Sequence, residues 1–241
     1  MVTTKRTILL TGAAGRIGTA YLKHAGTRYT FRLLDIRDTP QTHGHESIIS
    51  DLADPEAAND ACVGVDTVVH LAADPRPSAE FYQDLLGPNF KATYNIFRAA
   101  KQAGCRRVVF ASSVNAIFGY PVEKQVRTLD APCPGNIYGV SKAFGESLGA
   151  YFGAVEGLSN ICIRIGGVGD LENIRENTPH FDRSIFVTYR DLCHLLDLCI
   201  ETPDISHAVV HGLSNNRHSL IDLTDTRKLL NYHPVDDAFN P

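Results

Sequence analysis

A tyrosine and a lysine stand four residues apart in the segment IYGVSK, as Tyr138 and Lys142. On a helix this spacing places both side chains on one face, about one turn apart. A nearby ammonium group favours the ionised form of a phenol, whose ordinary pKa is about 10, and so moves a tyrosine towards use as a general base. On its own, the pair describes an amphipathic stripe on a surface helix equally well.

A serine hydroxyl at the end of a predicted strand supplies a third reactive group. Ser113 closes the segment RVVFASS, and ligands of doubly wound sheets bind at the carboxyl ends of the strands. A hydroxyl there polarises the reacting oxygen of a substrate. Ser112 is expected to point elsewhere, because successive strand side chains alternate, and to pack or to bond the backbone. Ser113, Tyr138 and Lys142 are therefore predicted to be catalytic.

A glycine-rich turn predicts a dinucleotide site. In TILLTGAAGRIG, Gly12, Gly15 and Gly18 follow a strand and cross the start of a helix. The first glycine allows a tight turn, the second lets a pyrophosphate approach the backbone, and the third lets the helix pack against the strand. The N-terminus of the helix offers free N–H groups to the phosphates. Arg16 and Ile17 belong to the same predicted site.

An acidic residue at the end of the second strand indicates which dinucleotide binds. Asp35 closes FRLLD, and a carboxylate there accepts hydrogen bonds from the adenosine ribose and repels a 2′-phosphate. NAD is therefore predicted as cofactor, although Arg16 or Arg37 would suit the extra phosphate of NADP. The remaining predicted cofactor-binding residues are Asp51 and Leu52 beside the adenine, with Leu71, Ala72, Ala73, Tyr138, Lys142 and Ile165.

Short β-rich runs alternate with helical patterns along the chain, as expected for βαβ units and a parallel sheet. The predicted fold is α/β, a doubly wound parallel Rossmann-type sheet with a small C-terminal substrate lobe. Residues 1–165 are predicted to form the NAD-binding domain with the catalytic residues, and residues 166–241 the lobe, which is not an independent domain. Predicted strands cover 7–11, 30–34, 47–50, 67–71, 107–111, 160–165, 185–187 and 207–211; predicted helices cover 15–24, 55–62, 90–103, 139–153 and 191–200, with another in the tail.

Composition sets broad limits on function. A chain of 241 residues with 44% apolar residues can bury a core, and its net charge of −4 favours neither nucleic acid nor an anionic membrane as partner. Six scattered cysteines without a CxxC pair, and the lack of a long apolar run, predict free thiols in a cytoplasmic protein. His43 and His45 lie in a polar, turn-rich stretch that predicts a solvated loop, so no metal site is expected.

Six segments together resemble the extended short-chain dehydrogenase/reductase family, also called the NAD-dependent epimerase/dehydratase family. The resemblance implies that Ser113 binds the reacting oxygen, Tyr138 moves the proton and Lys142 tunes it. It also implies that Asn89 completes a proton relay, whereas from the residues alone Asn89 is equally a helix N-cap. Family members pair through helices matching 90–103 and 139–153, which implies a homodimer or larger homo-oligomer. The segments are TGAAGRIG, Asp35, HLAA (70–73), FASS (110–113), YGVSK (138–142) and RIGG (164–167).

Within that family the chain is most similar to uronate dehydrogenases and related short sugar dehydrogenases. They share its length, the GYP segment Gly119–Pro121 after FASS, and the run Tyr138–Glu146. The likeness implies NAD-dependent oxidation of a small sugar, namely a uronic acid, an aldose or a sugar phosphate, at the anomeric hydroxyl. The residues expected to bind substrate are Asp74, Ser113, Asn115, Tyr138 and Arg175, with Arg183 competing with Arg175.

The chain differs from those enzymes at positions that are expected to bind the hydroxyl groups of the substrate. Asp74 and Pro75 stand where a serine is expected, Gly167 replaces a second serine, and Val114 replaces an asparagine. Asp74 and Arg76 are expected either to contact substrate or to pair with each other.

Two other functions remain open. A nucleotide-sugar epimerase or reductase shares the cofactor site and the three reactive residues. A non-catalytic NAD(H)-sensing protein is disfavoured because Ser113, Tyr138 and Lys142 are all present. A sugar dehydratase is disfavoured because Val114 and Asn115 follow Ser113, where dehydratases of the family carry an acidic residue.

Overall fold

The computed structural model describes residues 5–39 and 44–241. His43 of the predicted polar loop lies outside these residues, whereas His45 lies within them and contacts the backbone carbonyl of Gly26 at 3.2 Å.

A parallel sheet of seven strands forms the centre of the described chain, in the order β3-β2-β1-β4-β5-β6-β9. Every neighbouring pair in it is parallel. The order reverses at β1 and β4, so the carboxyl ends of these strands border the crevice in which such sheets bind ligands. The strands are β1 (Thr7–Thr11), β2 (Thr30–Asp35), β3 (Glu46–Ile49), β4 (Thr67–His70), β5 (Arg107–Ser113), β6 (Ser159–Ile165), β7 (Gly167–Gly169), β8 (Phe186–Thr188) and β9 (His207–Gly212).

Helices cover both faces of the sheet, which makes the fold doubly wound, as predicted. One apolar cluster joins alternate strand residues such as Leu10 and Ile163 to α1 and α6, and the other joins Leu9 and Cys162 to α2, α3 and α4. Because both faces are buried, the central strands are nearly continuous apolar runs. The helices are α1 (Arg16–Ala25), α2 (Pro55–Cys62), α3 (Ala92–Gln102), α4 (Ile137–Ala154), α5 (His180–Ser184), α6 (Tyr189–Glu201) and α7 (Thr224–Leu230).

Part of the segment after residue 165 belongs to the main body. Strand β9 pairs with β6 from Asn160↔His207 to Ile165↔Gly212, and helix α6 packs in the same core as α1. The remainder forms the smaller lobe, with the two-stranded sheet of β7 and β8. An apolar cluster that includes Val114, Leu213 and Ile221 joins this lobe to the chain that follows β5.

The region before α3 differs from the predicted helix over 90–103. A π-helix spans Phe81–Lys91 and runs directly into α3. Pro88 lies inside it, where its missing N–H donor and its ring disfavour a regular α-helix. A π-helical turn shifts the positions of side chains relative to the 3.6-residue period, so the apolar pattern did not predict a helix here.

No helix of the described ranges has both the length and the apolar character needed to cross a membrane.

Candidate active site

A cleft of about 820 Å³ opens at the carboxyl ends of the central strands, between the glycine-rich turn and the N-terminal turns of α4. All fourteen residues predicted to bind the cofactor line it, as do Asp74, Ser113 and Asn115. Two predicted site residues do not: Asn89 lies buried behind the cleft, and Arg175 lies exposed in the smaller lobe.

The glycine-rich turn forms a cradle that side chains would fill. Gly12 has a φ of +69°, and a Cβ atom there would lie 2.7 Å from the backbone nitrogen of Ala72. Gly15 is the N-cap of α1 without a side-chain cap, so the first N–H groups of the helix face the cleft with no protein side chain over them. These features fit a bound pyrophosphate.

Asp35 presents a fixed carboxylate at the end of β2. It is 6% exposed, and its oxygens accept hydrogen bonds from the N–H groups of Ala14 at 3.0 Å and Arg37 at 3.1 Å. The Arg37 Nε atom lies 3.5 Å from the same carboxylate. Two bonded oxygens still have lone pairs for the hydroxyl groups of a ribose, so the residue fits the ribose-binding role predicted for it.

The three predicted catalytic residues meet at the other end of the cleft. Ser113, Tyr138 and Lys142 are all buried, at 6%, 8% and 4% exposure. The Ser113 hydroxyl lies close enough to the Tyr138 phenol to lower its pKa, and Lys142 Nζ lies 5.6 Å from the centre of the Tyr138 ring. The helix α4 and the end of β5 therefore place a phenol, an ammonium and a hydroxyl around one point.

Burial opposes the charged forms of both α4 groups. It raises the pKa of Tyr138 to about 12; the nearby Ser113 hydroxyl acts in the opposite direction, and the charge of Asp74 adds to the rise. Burial also lowers the pKa of Lys142 to about 7. A positive charge bound in the cleft would stabilise the tyrosinate, so the residue is suited to act as a base when an oxidised nicotinamide is present.

A chain of two asparagines holds Ser113 in place. Asn136 caps α4 by accepting a hydrogen bond from Gly139 N–H at 2.7 Å, and its amide donates to Asn115 Oδ1 at 2.8 Å. The Asn115 amide then donates to Ser113 Oγ at 3.2 Å. Sequence reasoning missed Asn136, although an asparagine just before a predicted helix is a recognisable N-cap signal.

Asn89 connects the loop after β4 to α4. Its Oδ1 accepts from Asp74 N–H at 2.8 Å, and its Nδ2 donates to the Asp74 carbonyl and to Ser141 Oγ, both at 3.0 Å. Ser141, which sequence reasoning also missed, donates to the Tyr138 carbonyl at 2.7 Å. The side chain of Asn89 is thus engaged in holding Asp74 and α4, and its part in a proton relay stays a prediction.

Asp74 and Arg76 pair with each other at the rim of the cleft. Arg76 Nε donates to Asp74 Oδ1 at 3.0 Å, and Nη2 donates to Oδ2 at 2.6 Å. This ion pair holds the pKa of Asp74 below its usual range. Both residues line the cleft, so the pairing leaves a contact with substrate possible for the free lone pairs of Asp74.

The two arginines proposed to hold a substrate carboxylate lie elsewhere. The guanidinium of Arg175 donates to the Glu172 carbonyl, and that of Arg183 donates to the carbonyl of Thr178 at 3.1 Å. Neither residue lines the cleft. Among the described residues, no group of three His, Cys, Asp or Glu side chains is arranged to hold a metal ion.

Comparison with known proteins places this cleft in a family. Residues 8–169 match the model of the NAD dependent epimerase/dehydratase family. The NAD-dependent glucose-6-phosphate dehydrogenase of Haloferax volcanii is 34% identical over 96% of this chain and 94% of its own length. The L-arabinose 1-dehydrogenase (NAD(P)(+)) of the same organism is 32% identical over 96% of this chain and 97% of its own length.

A solved structure agrees with this placement. The crystal structure of uronate dehydrogenase from Agrobacterium tumefaciens has a TM-score of 0.87 and 29% identity, covering 98% of this chain and 86% of that one. The chain therefore belongs to the NAD dependent epimerase/dehydratase family.

Proposed function

We propose that this protein is an NAD-dependent dehydrogenase that oxidises the anomeric hydroxyl group of a small sugar to a lactone. The observation that carries the proposal is the arrangement of the cleft, in which the glycine cradle and Asp35 share one cavity with Ser113, Tyr138 and Lys142. The similarity to two sugar dehydrogenases of Haloferax volcanii supports it.

The residues at the reactive end have separate tasks. The sugar hydroxyl lies between Ser113 and Tyr138; Ser113 binds its oxygen, and the Tyr138 tyrosinate takes its proton. The C–H electron pair and hydrogen leave as hydride, and a C=O bond forms at the anomeric carbon. Bound NAD supplies the hydride acceptor. When protonated, Lys142 stabilises the tyrosinate and passes the accepted proton towards solvent.

The same chain offers a group for each part of the cofactor. The cradle of Gly12, Gly15 and Gly18 would hold the pyrophosphate, and Asp35 would hold the adenosine ribose. Lys142, beside Tyr138, would hold the nicotinamide ribose as well.

The experiment is a screen for NADH formation with free uronic acids, aldoses and hexose phosphates, followed by the Tyr138→Phe variant. Loss of a general base costs about 10²- to 10⁴-fold, so kcat/KM is expected to fall about a thousandfold while the Kd for NADH changes less than about threefold. Tyr151→Phe is the matched control, because Tyr151 lies on the same helix but is 46% exposed. Retained turnover in Tyr138→Phe contradicts the mechanism, and sugar interconversion without net NADH identifies an epimerase instead.

We also propose that the enzyme works in the cytoplasm as a homo-oligomer, at least a dimer. Its six cysteines are free thiols and five of them are buried, which suits a reducing compartment. Tyr94 on α3, and Val140 and Tyr151 on α4, are large apolar side chains that stay exposed. Two copies pairing through α3 and α4 would cover them.

A further inference from the structure

The reactive end of the cleft carries an excess of negative charge. Arg76 lies between two carboxylates, with Nη2 2.6 Å from Asp74 Oδ2 and 3.0 Å from Asp84 Oδ1. The three groups sum to a charge of −1. Of their side chains, that of Asp74 is the most enclosed, at 17% exposure, whereas that of Arg76 is 58% exposed. Both Asp74 and Arg76 line the cleft, and the carboxylate is the more enclosed of the two charged groups.

The position of the Asp74 carboxylate is fixed from two sides. The amide of Asn89 bonds both the N–H and the C=O groups of Asp74, and Arg76 N–H donates to Asp74 Oδ1 at 3.0 Å. Asp74 is close enough to Tyr138 for its charge to act on the phenol. A rigid acceptor near the reacting hydroxyl is what recognition of a neighbouring sugar hydroxyl requires.

Among the residues that the structure describes, no unpaired arginine lines the reactive end of the cleft. Arg16 and Arg37 line the cleft at its other end, beside the glycine turn and Asp35. Lys142 also lines the cleft, but it is 4% exposed, and this burial lowers its pKa to about 7. Arg175 and Arg183 do not line the cleft. A carboxylate or phosphate on the substrate would find only Arg76, which two carboxylates already neutralise.

We propose that this site selects an uncharged sugar, with the Asp74 carboxylate accepting hydrogen bonds from the sugar hydroxyl groups. The inference rests on the proposed dehydrogenase function and narrows its substrate class. The similar proteins do not decide the point, because they are dehydrogenases of a sugar phosphate, a uronate and a neutral pentose. The charge pattern of this chain does decide it, against the anionic substrates.

The first test compares sugars that differ only at C6. The kcat/KM with NAD is measured for glucose, glucuronate and glucose 6-phosphate, and for galactose and galacturonate, with arabinose and xylose as sugars that lack C6. A neutral sugar is expected to exceed its anionic counterpart by about tenfold or more, as one unfavourable charge contact requires. Faster oxidation of the uronate or phosphate overturns the inference but leaves the dehydrogenase function intact. If no sugar yields NADH, the proposed function itself fails.

The second test changes the charge of the site. Asp74→Asn is expected to lower kcat/KM for neutral sugars about 10- to 100-fold, through loss of charged hydrogen bonds, and to lower the neutral-to-anionic ratio about tenfold. Arg76→Gln leaves Asp74 uncompensated and is expected to raise that ratio. Asp60→Asn is the control, because Asp60 is an exposed carboxylate on α2 that does not line the cleft; its ratio is expected to stay within about threefold.

The Kd for NADH verifies that each variant is folded, since the cofactor end of the cleft is unchanged. An unaltered neutral-to-anionic ratio in both Asp74→Asn and Arg76→Gln, with NADH binding retained, overturns the role of Asp74. Should Asp74→Asn lose NADH binding, the ratio in Arg76→Gln alone decides: a rise supports the proposal, and no rise overturns it.

Discussion

Replacing Asp35 with serine is expected to turn the cofactor preference from NADH towards NADPH. The carboxylate is buried at the end of β2, and in the wild-type protein a 2′-phosphate would lie against it. Two unit charges 4 Å apart repel by about 4 kcal/mol at an effective dielectric of 20. Arg37, with Nε 3.5 Å from Asp35, offsets part of this, so about 2 kcal/mol is a reasonable net penalty for NADPH.

The same substitution weakens NADH binding. A hydrogen bond to a charged group contributes about 1.5–3 kcal/mol, so loss of the ribose contacts costs NADH about 2 kcal/mol. Together the two effects amount to about 4 kcal/mol, or roughly a thousandfold change in the ratio of the two Kd values. In Asp35→Ser, Arg37 is released from its ion pair and becomes available to the phosphate.

The assay is calorimetry with NADH and with NADPH on the purified variants, or the change in fluorescence of the reduced nicotinamide itself on binding, since the chain has no tryptophan. Asp38→Ser is the control, because Asp38 is an exposed carboxylate in the same loop and does not line the cleft. Adding Arg37→Ser to Asp35→Ser is expected to cancel the gain for NADPH. A shift of less than tenfold in Asp35→Ser, or an equal shift in Asp38→Ser, would refute the electrostatic argument.

Two further predictions concern stability. Glu146 accepts two hydrogen bonds from Arg164, at 2.9 and 2.8 Å, and both side chains are buried. The Glu146→Gln variant leaves the arginine charge uncompensated. It is expected to lower the free energy of unfolding, measured by urea titration, by about 3–5 kcal/mol. The exposed Glu56→Gln should stay within about 0.5 kcal/mol, and an equal loss in both variants contradicts the argument. Burial lowers the pKa of His70 to about 3 and that of His211 to about 4, from 6.5. Below pH 6.5 the unfolded chain therefore binds more protons than the folded chain, and the free energy of unfolding decreases as the pH is lowered. The expected loss between pH 7 and pH 5 is roughly 4 kcal/mol for the two residues together. A His211→Gln variant should lose about half of this pH dependence. An unchanged slope of unfolding free energy against pH in that variant contradicts the prediction.

The cofactor half of the cleft follows from local sequence signals. A strand, a turn with Gly12 at positive φ and a helix beginning at Arg16 succeed one another within a few residues. Asp35 ends the next strand, which pairs with the first in parallel. Parallel neighbours end at the same edge of a sheet, so these groups meet without help from the rest of the chain.

Other parts of the fold depended on contacts that no local pattern contains. The π-helix of Phe81–Lys91 does not follow the 3.6-residue period. Ser112 was expected to pack or to bond the backbone, but its hydroxyl donates to Glu146 at 2.6 Å. That bond joins β5 to α4, two elements separated along the chain, so only the packed structure could identify the partner.

The substrate half shows the same division. Asn89 and Asp74 are fifteen residues apart, and the π-helix before α3 brings them within hydrogen-bond distance. The hydrogen bonds from Asn136 through Asn115 to Ser113 connect the start of α4 with the end of β5. The Arg175 position depends on the path of the smaller lobe, and it lies outside the cleft lining. Short sequence spacing between RIGG and Arg175 gave no information about that path.

The sequence by itself determined the chemistry available to this protein: a dinucleotide cradle, an acidic ribose partner, and a Ser–Tyr–Lys group, because each depends on residue types at fixed spacing in regular elements. Only the tertiary structure decided the charge that a substrate meets. The sequence left Asp74 free either to face a ligand or to pair with Arg76, and in the folded chain it pairs with Arg76 and also lines the cleft. Coulomb interactions depend on distance and burial, which are set when separate elements pack together.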